Sequence, residues 1–209
     1  MILKALADYY QRLADDPNVD IAPPGFEYKR IDFLVVLDAN GGFEDLRDAR
    51  EGTGKKRKGR PMLVPKAVKR SANVAANLLW DTAAYVFGVN PAKPDRGEQQ
   101  RAAFVERIEH AFGGSHDAGI IAVLAFLKRR SFTPVFDHSM WSEVEQSGGN
   151  ISFILAGEAE LVCQRPEVVT AILEEAKPAA ATQTCSVSGR QDVAAELHTA
   201  IKGVWGAQS

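Results

Sequence analysis

Between Tyr28 and Asp38 the chain reads YKRIDFLVVLD, a run crowded with β-branched and aromatic side chains, and Asn40-Gly41-Gly42 follows it closely. Such side chains fit a pleated, half-buried surface better than the crowded flank of a helix. Asn-Gly supplies the positive φ that a tight hairpin turn requires. The pattern predicts a strand over 28–38, a turn, and a partner strand over 43–48. With that nucleus the chain must build a sheet, and its helices must bury their apolar stripes against it.

The helices are legible from spacing. Ile2, Leu3, Leu6, Tyr9, Tyr10 and Leu13 predict an amphipathic helix over 2–15, stopped by Asp16-Pro17. Phe104, Ile108 and Phe112, then Ile120, Ile121, Leu124 and Leu127, predict helices over 98–112 and 116–130 on either side of Gly113-Gly114-Ser115. Asn77 to Phe87 (NLLWDTAAYVF) reads as a further helix ending at Gly88, and a short one is expected around Ser139 to Gln146. Ile151 to Leu155 and Ala159 to Gln164 read as a hairpin closed at Gly157-Glu158. Arg165 to Glu175 reads as a helix entered through Pro166. After the link Lys177 to Ala181, Cys185 to Ser188 is expected as a last strand. The fold class is α+β, with small antiparallel sheets, several packed helices, no βαβ rhythm and no internal repeat.

Several function classes fall away. No apolar run approaches the ~18 residues that span a bilayer, and the N-terminus lacks the marks of a signal peptide. Two cysteines, Cys163 and Cys185, stand outside any metal-type cluster and suit a reducing, cytoplasmic location. Gly52-Thr53-Gly54-Lys55 resembles the end of a phosphate-binding loop. That motif fails, because Ala49 and Lys56 occupy the positions of its first glycine and its Ser/Thr. His110, His116, His138 and His198 are scattered, and there is no HExxH, CxxC or GxSxG. No catalytic role, metal or other cofactor is expected.

What remains is charge. Lys55, Lys56, Arg57, Lys58, Arg60, Lys66, Lys69 and Arg70 are eight basic residues with no acid among them, in a chain of 25 basic and 27 acidic residues. Without those eight the formal charge falls from −2 to −10. The glycines and prolines of this block (Gly52, Gly54, Gly59, Pro61, Pro65) predict a cationic loop with at most a short strand around Met62 to Val64. A solvated loop and a nuclear-import signal are the bland readings of KKRK. The alternative is a polyanion contact confined to one segment. Its cations would grip phosphates, while Ser71, Asn73 and Asn77 beside them have donors and acceptors for base edges. Trp80, Tyr85 and Phe87 read either as core or as stacking platforms. Lys128-Arg129-Arg130 reads as a helix end favoured by the macrodipole or as a phosphate contact. Near the end, Trp205 reads as a buried anchor; the other reading presents Gln208, with Ser209, to a groove. The ending IKGVWGAQS is apolar and glycine-punctuated with no polar tail, so a fragment of a longer chain is expected.

MILKALADYYQRL, IAPPGFEYKRIDFLVVLD, LVPKAVKRSANVAANLLWDTAAYVFGV and LHTAIKGVWGAQS occur in this order from the first residue to the last. Together they resemble the N-terminal portion of the large subunit of the type I-C (Dvulg-type) CRISPR Cascade surveillance complex. The match is most specific over Arg70 to Gly88 and at IKGVWGAQS; it departs at Ala76, where the family carries proline, and near Asn73, where it carries glycine. The resemblance implies that residues 1–209 are the DNA-recognition domain of a longer subunit, with the basic loop of about residues 50–70 inserted in it. It further implies a non-enzymatic antiviral role, in which the subunit recognises the protospacer-adjacent motif in duplex DNA, assists strand separation and supports recruitment of a helicase-nuclease. Base pairing to the guide reads the target and protein reads only the flanking motif. The implied partners are double-stranded target DNA, crRNA, the other Cascade subunits, the helicase-nuclease and an anti-CRISPR protein, with no membrane. A docking module for RNA or protein within the same complex, without DNA reading, is the alternative.

Overall fold

A computed structural model of the chain describes residues 2–16, 18–19, 21–54, 57–70, 73–129, 131–175, 182–185, 189 and 191–193. The chain divides into two compact units, one formed by Met1–Ile21 with Lys177–Ser209 and the other by Ala22–Ala176. The first begins with helix α1 (Ile2–Asp15), as its apolar spacing requires, with a Lys4–Asp8 ion pair of 3.0 Å on its polar side.

The larger unit is built from β1 (Phe26–Ile31), β2 (Phe33–Leu37), β3 (Phe43–Asp48), β4 (Arg50–Glu51), β5 (Lys58–Pro65) and β6 (Trp80–Thr82). These are followed by α2 (Ala83–Val86), α3 (Pro94–Phe112), α4 (Ala118–Leu127), α5 (Thr133–Phe136), α6 (Trp141–Ser147), β7 (Asn150–Leu155) and α7 (Pro166–Glu175). One sheet has the order β1-β5-β4, and a second the order β3-β2-β7-β6. The fold is α+β as expected, although the second sheet is mixed, because β7 runs parallel to β2 and antiparallel to β6. β2 lies between two strands, so nearly every one of its side chains is buried. Phe104 of α3 and Phe126 of α4 pack on Phe153 of β7, each with ring centroids 6.3 Å apart, and fix the helical layer on the sheet. In the first unit, β8 (Thr182–Thr184) pairs with β9 (Gln191–Val193).

The expected strand over 28–38 is broken at Asp32, where it leaves one sheet for the other. The Asp32 carboxylate accepts the N–H of Gly59 at 3.1 Å and of Asn150 at 2.9 Å, and its carbonyl accepts that of Ala49 at 2.8 Å. Gly59 must be glycine there, since a Cβ would stand 2.5 Å from the Ile31 carbonyl oxygen.

The expected helix over 77–87 is also corrected. Its first part is irregular, its middle is β6, and only α2 is helical. Asp81 draws the N–H groups of Asn77 (2.9 Å) and Thr82 (2.8 Å) to its carboxylate, in competition with a helical ladder. Ser152 Oγ donates to the Leu79 carbonyl at 3.1 Å, with Leu79 at φ 61°. The short strand expected around Met62 to Val64 within the basic block runs for 8 residues as β5, and 66–70 follow it without regular structure. β4 reaches only Lys58 and Gly59, so at Pro61 and Pro65 the strand has one neighbour and the missing N–H faces the open side. The second arm of the expected 151–164 hairpin is a single bridge, Ile154 to Leu161, followed by a 3-10 turn at Val162–Gln164. Of the strand expected over 185–188, Cys185 is not in a strand and 186–188 fall outside the described residues; the strands on either side are β8 and β9.

Candidate nucleic-acid interface

Two segments carry the cations, the β4–β5 hairpin and the connection from β5 to β6. At the base of the hairpin, Arg50 grips Asp48 with two N–H groups at 2.7 and 2.8 Å, and its guanidinium lies 4.5 Å from the Phe33 ring centroid. Arg57 donates to the same Asp48 at 2.6 Å. Both guanidinia also donate to Oε2 of Glu143 from α6. The hydrogen bonds from Arg50, with both positive charges nearby, hold the Asp48 carboxyl below its ordinary range. Arg57, expected on a mobile arm, is therefore an anchor of the hairpin. Arg60 faces Glu51 at 3.1 Å with both side chains well exposed, a pairing of small energetic weight. Lys58 is exposed and forms no ion pair with a described residue.

The β5–β6 connection is tied at both ends. Lys66 N–H donates to the Gly25 carbonyl at 2.8 Å, Ala67 N–H to Glu27 at 3.0 Å, and Val68 N–H to Asn77 Oδ1 at 3.1 Å. Arg70 crosses its base, with Nε on the Ala75 carbonyl at 2.6 Å, Nη2 on the Asp81 carboxylate and its guanidinium 4.1 Å from the Tyr85 ring centroid. Asp81 is fully buried; burial pushes its carboxyl above the ordinary range, against the opposing pull of Arg70 and of the Asn77 and Thr82 N–H groups. Trp80 is fixed below by its indole N–H on the Pro65 carbonyl at 2.8 Å. Between these ties Lys66, Lys69 and Asn73 are exposed. Among the described residues neither lysine has an acidic partner, and the Asn73 amide has no hydrogen bond.

The structure thus divides the expected site residues. Lys58, Lys66, Lys69 and Asn73 are open to a ligand, whereas Arg57, Arg60 and Arg70 face the protein's own carboxylates. Asn77, expected at a base edge, is 4% exposed and shapes the loop by accepting the Val68 N–H. Lys55, Lys56, Ser71, Gln208 and Ser209 lie outside the described residues. Trp80, Tyr85 and Phe87 are core residues, with Phe87 edge-on to Phe132 and Trp141 at 5.3 Å. Lys128 pairs with Glu109 at 2.8 Å and Arg129 holds the Gly41 carbonyl at 3.0 Å, while Arg130 lies outside the described residues.

Sequence reasoning missed Arg50, Glu143 and Asp81, and also Arg30, which is exposed on β1 opposite Pro61 and donates to the Gly59 carbonyl at 3.0 Å. Period-2 alternation would have placed Asp48 and Arg50 on one side of a strand. Nothing local marks Glu143.

Among the described residues no cluster of three or more His, Cys, Asp or Glu side chains is arranged to hold a metal ion, and no helix is long and apolar enough to cross a membrane. A family model described as CRISPR-associated protein (Cas_Csd1) matches residues 6–209. No curated protein matches the chain.

Proposed function

The chain belongs to the family of the CRISPR-associated protein Cas_Csd1, and we propose that it acts as a non-enzymatic subunit of a type I-C crRNA-guided complex that recognises the protospacer-adjacent motif in duplex DNA. In this reading Lys58, Lys66 and Lys69, with Lys55 and Lys56, hold phosphates, and Asn73 tests base edges. The observation that carries the reading is Asn73 itself. Its exposed amide stands on a loop tied to the core at both ends, a few residues after two unpaired lysines. An amide can be bidentate to adenine, whereas a lysine on a phosphate reports no sequence. Arg70 and Asn77 hold that loop in shape, so their contribution to recognition is positional. Strand separation and helicase-nuclease recruitment would follow motif recognition in the same complex, with base pairing reading the rest of the target.

The test is a titration of the assembled complex with duplexes that differ only in the flanking motif, at several salt concentrations. Tighter binding to the motif duplex, with a ratio that survives a rise in salt, is expected. Salt-sensitive binding to RNA or a partner protein with none to duplex DNA would favour the docking module instead.

A further inference from the structure

Arg50, Arg57, Glu143, Ser142 and Gln146 line an open cleft of about 570 Å³, with Gly54 at its rim. Ser147 also lines it, so the lining is rich in donors: two guanidinia, two hydroxyls and an amide, against the single acid Glu143, with the Ser147 hydroxyl already donating to the Val144 carbonyl. Ser142 and Gln146 are exposed and make no side-chain hydrogen bond to a described residue. Glu143 places one carboxylate oxygen between the two guanidinia, where it accepts from both. This is the position that a phosphate oxygen takes between paired arginines. Arg50 does not depend on Glu143 for its place, since Asp48 holds it through two N–H groups and its side chain is only 9% exposed. The Glu143 side chain is 40% exposed and has water to move into.

We propose that this cleft is a phosphate site closed by Glu143 as an internal anion, and that its occupant is the phosphodiester backbone of the duplex bound in the reading above, on which this inference rests. A phosphodiester carries one negative charge, as Glu143 does. It can replace the carboxylate between the guanidinia without changing the charge of the cluster, while Ser142 and Gln146 donate to its remaining oxygens. The exchange makes each non-specific encounter compete with an internal anion, and so restrains binding to duplexes that lack the motif.

The test begins without DNA, with thermal shift of the folded chain in pyrophosphate, because a ligand that binds the native state raises Tm. Glu143→Gln keeps size and hydrogen bonding and removes the competing charge. It is expected to bind pyrophosphate about tenfold more tightly than the parent chain. Adding Arg57→Gln should abolish the gain. Arg57→Gln alone, which leaves Arg50 on Asp48, should weaken pyrophosphate binding and decides the matter should Glu143→Gln not fold. Equal pyrophosphate affinity in parent and Glu143→Gln, or a gain that persists without Arg57, overturns the site. The second arm uses a duplex lacking the motif, where Glu143→Gln should steepen the slope of log K against log salt by about 0.9. Tighter pyrophosphate binding with an unchanged slope overturns the phosphodiester as occupant. Neither arm reads motif discrimination, so failure of the cleft is distinguishable from failure of Asn73 as a base reader.

Discussion

Arg70 and Asp81 form the clasp of the β5–β6 connection: the guanidinium holds the Ala75 carbonyl and the Asp81 carboxylate together, and that carboxylate also takes the Asn77 N–H. Between them Asn73 is exposed, while Ala76 to Trp80 are buried. Arg70→Ala strands a fully buried carboxylate. The expected loss is about 3 kcal/mol near neutral pH by urea unfolding. The sign of its pH dependence follows from Asp81, whose folded pKa already lies above its ordinary value and rises further without the cation. Such a group contributes stability below its unfolded pKa and loses it as pH rises through the folded value. The Arg70→Ala loss should therefore shrink toward about pH 4. In a double-mutant cycle Arg70→Ala and Asp81→Ala should couple by about 1–3 kcal/mol.

Asp48 has the opposite sign. Its carboxyl is held below the ordinary 3.8 by hydrogen bonds from Arg50, so it contributes stability above that pH and loses it as pH falls through the lowered value. Asp48→Asn should cost about 2 kcal/mol at pH 7, and progressively less in unfolding measured toward about pH 2.

The exposed lysines should act on phosphates alone. Lys58→Ala, Lys66→Ala and Lys69→Ala should each lower affinity for motif and non-motif duplexes alike, and each should reduce the salt slope by about 0.9. A lysine whose removal changes the motif ratio would be reading bases.

Cys163 is fully buried, and burial pushes its thiol up to about 12. In a Cys185→Ser background the folded chain should resist a thiol-specific reagent at pH 8, and should react fully in urea. Reaction at the rate of a free thiol without denaturant would contradict the packing of Cys163 beneath β5.

Helices α3 and α4 were legible from apolar spacing: Phe104, Ile108 and Phe112 are buried on α3 as their period requires, although Ile121 of the α4 set is 48% exposed. The turn at Asn40-Gly41-Gly42 was legible for a local reason too, with Gly41 at φ 75°. The break at Asp32 was not. It depends on Gly59 and Asn150, 27 and 118 residues away, and a strand pattern carries no sign of them. The run NLLWDTAAYVF has the composition of a helix, yet Asp81 captures its neighbours' N–H groups and β7 recruits Trp80 to a sheet. Charge was legible in number and not in disposition. Arg57 meets Glu143, 86 residues away, and Arg70 meets Asp81, so a count of cations overstated those open to a polyanion.

The most direct measurement is the affinity ratio of the assembled complex for two duplexes that differ only in the flanking motif, before and after Asn73→Ala. A bidentate amide–base pair is worth about 1–3 kcal/mol of discrimination, so the ratio should fall by about 5- to 150-fold while non-motif affinity holds. A ratio unchanged by Asn73→Ala, in a complex that still binds the motif duplex, would contradict the reading of bases from this loop.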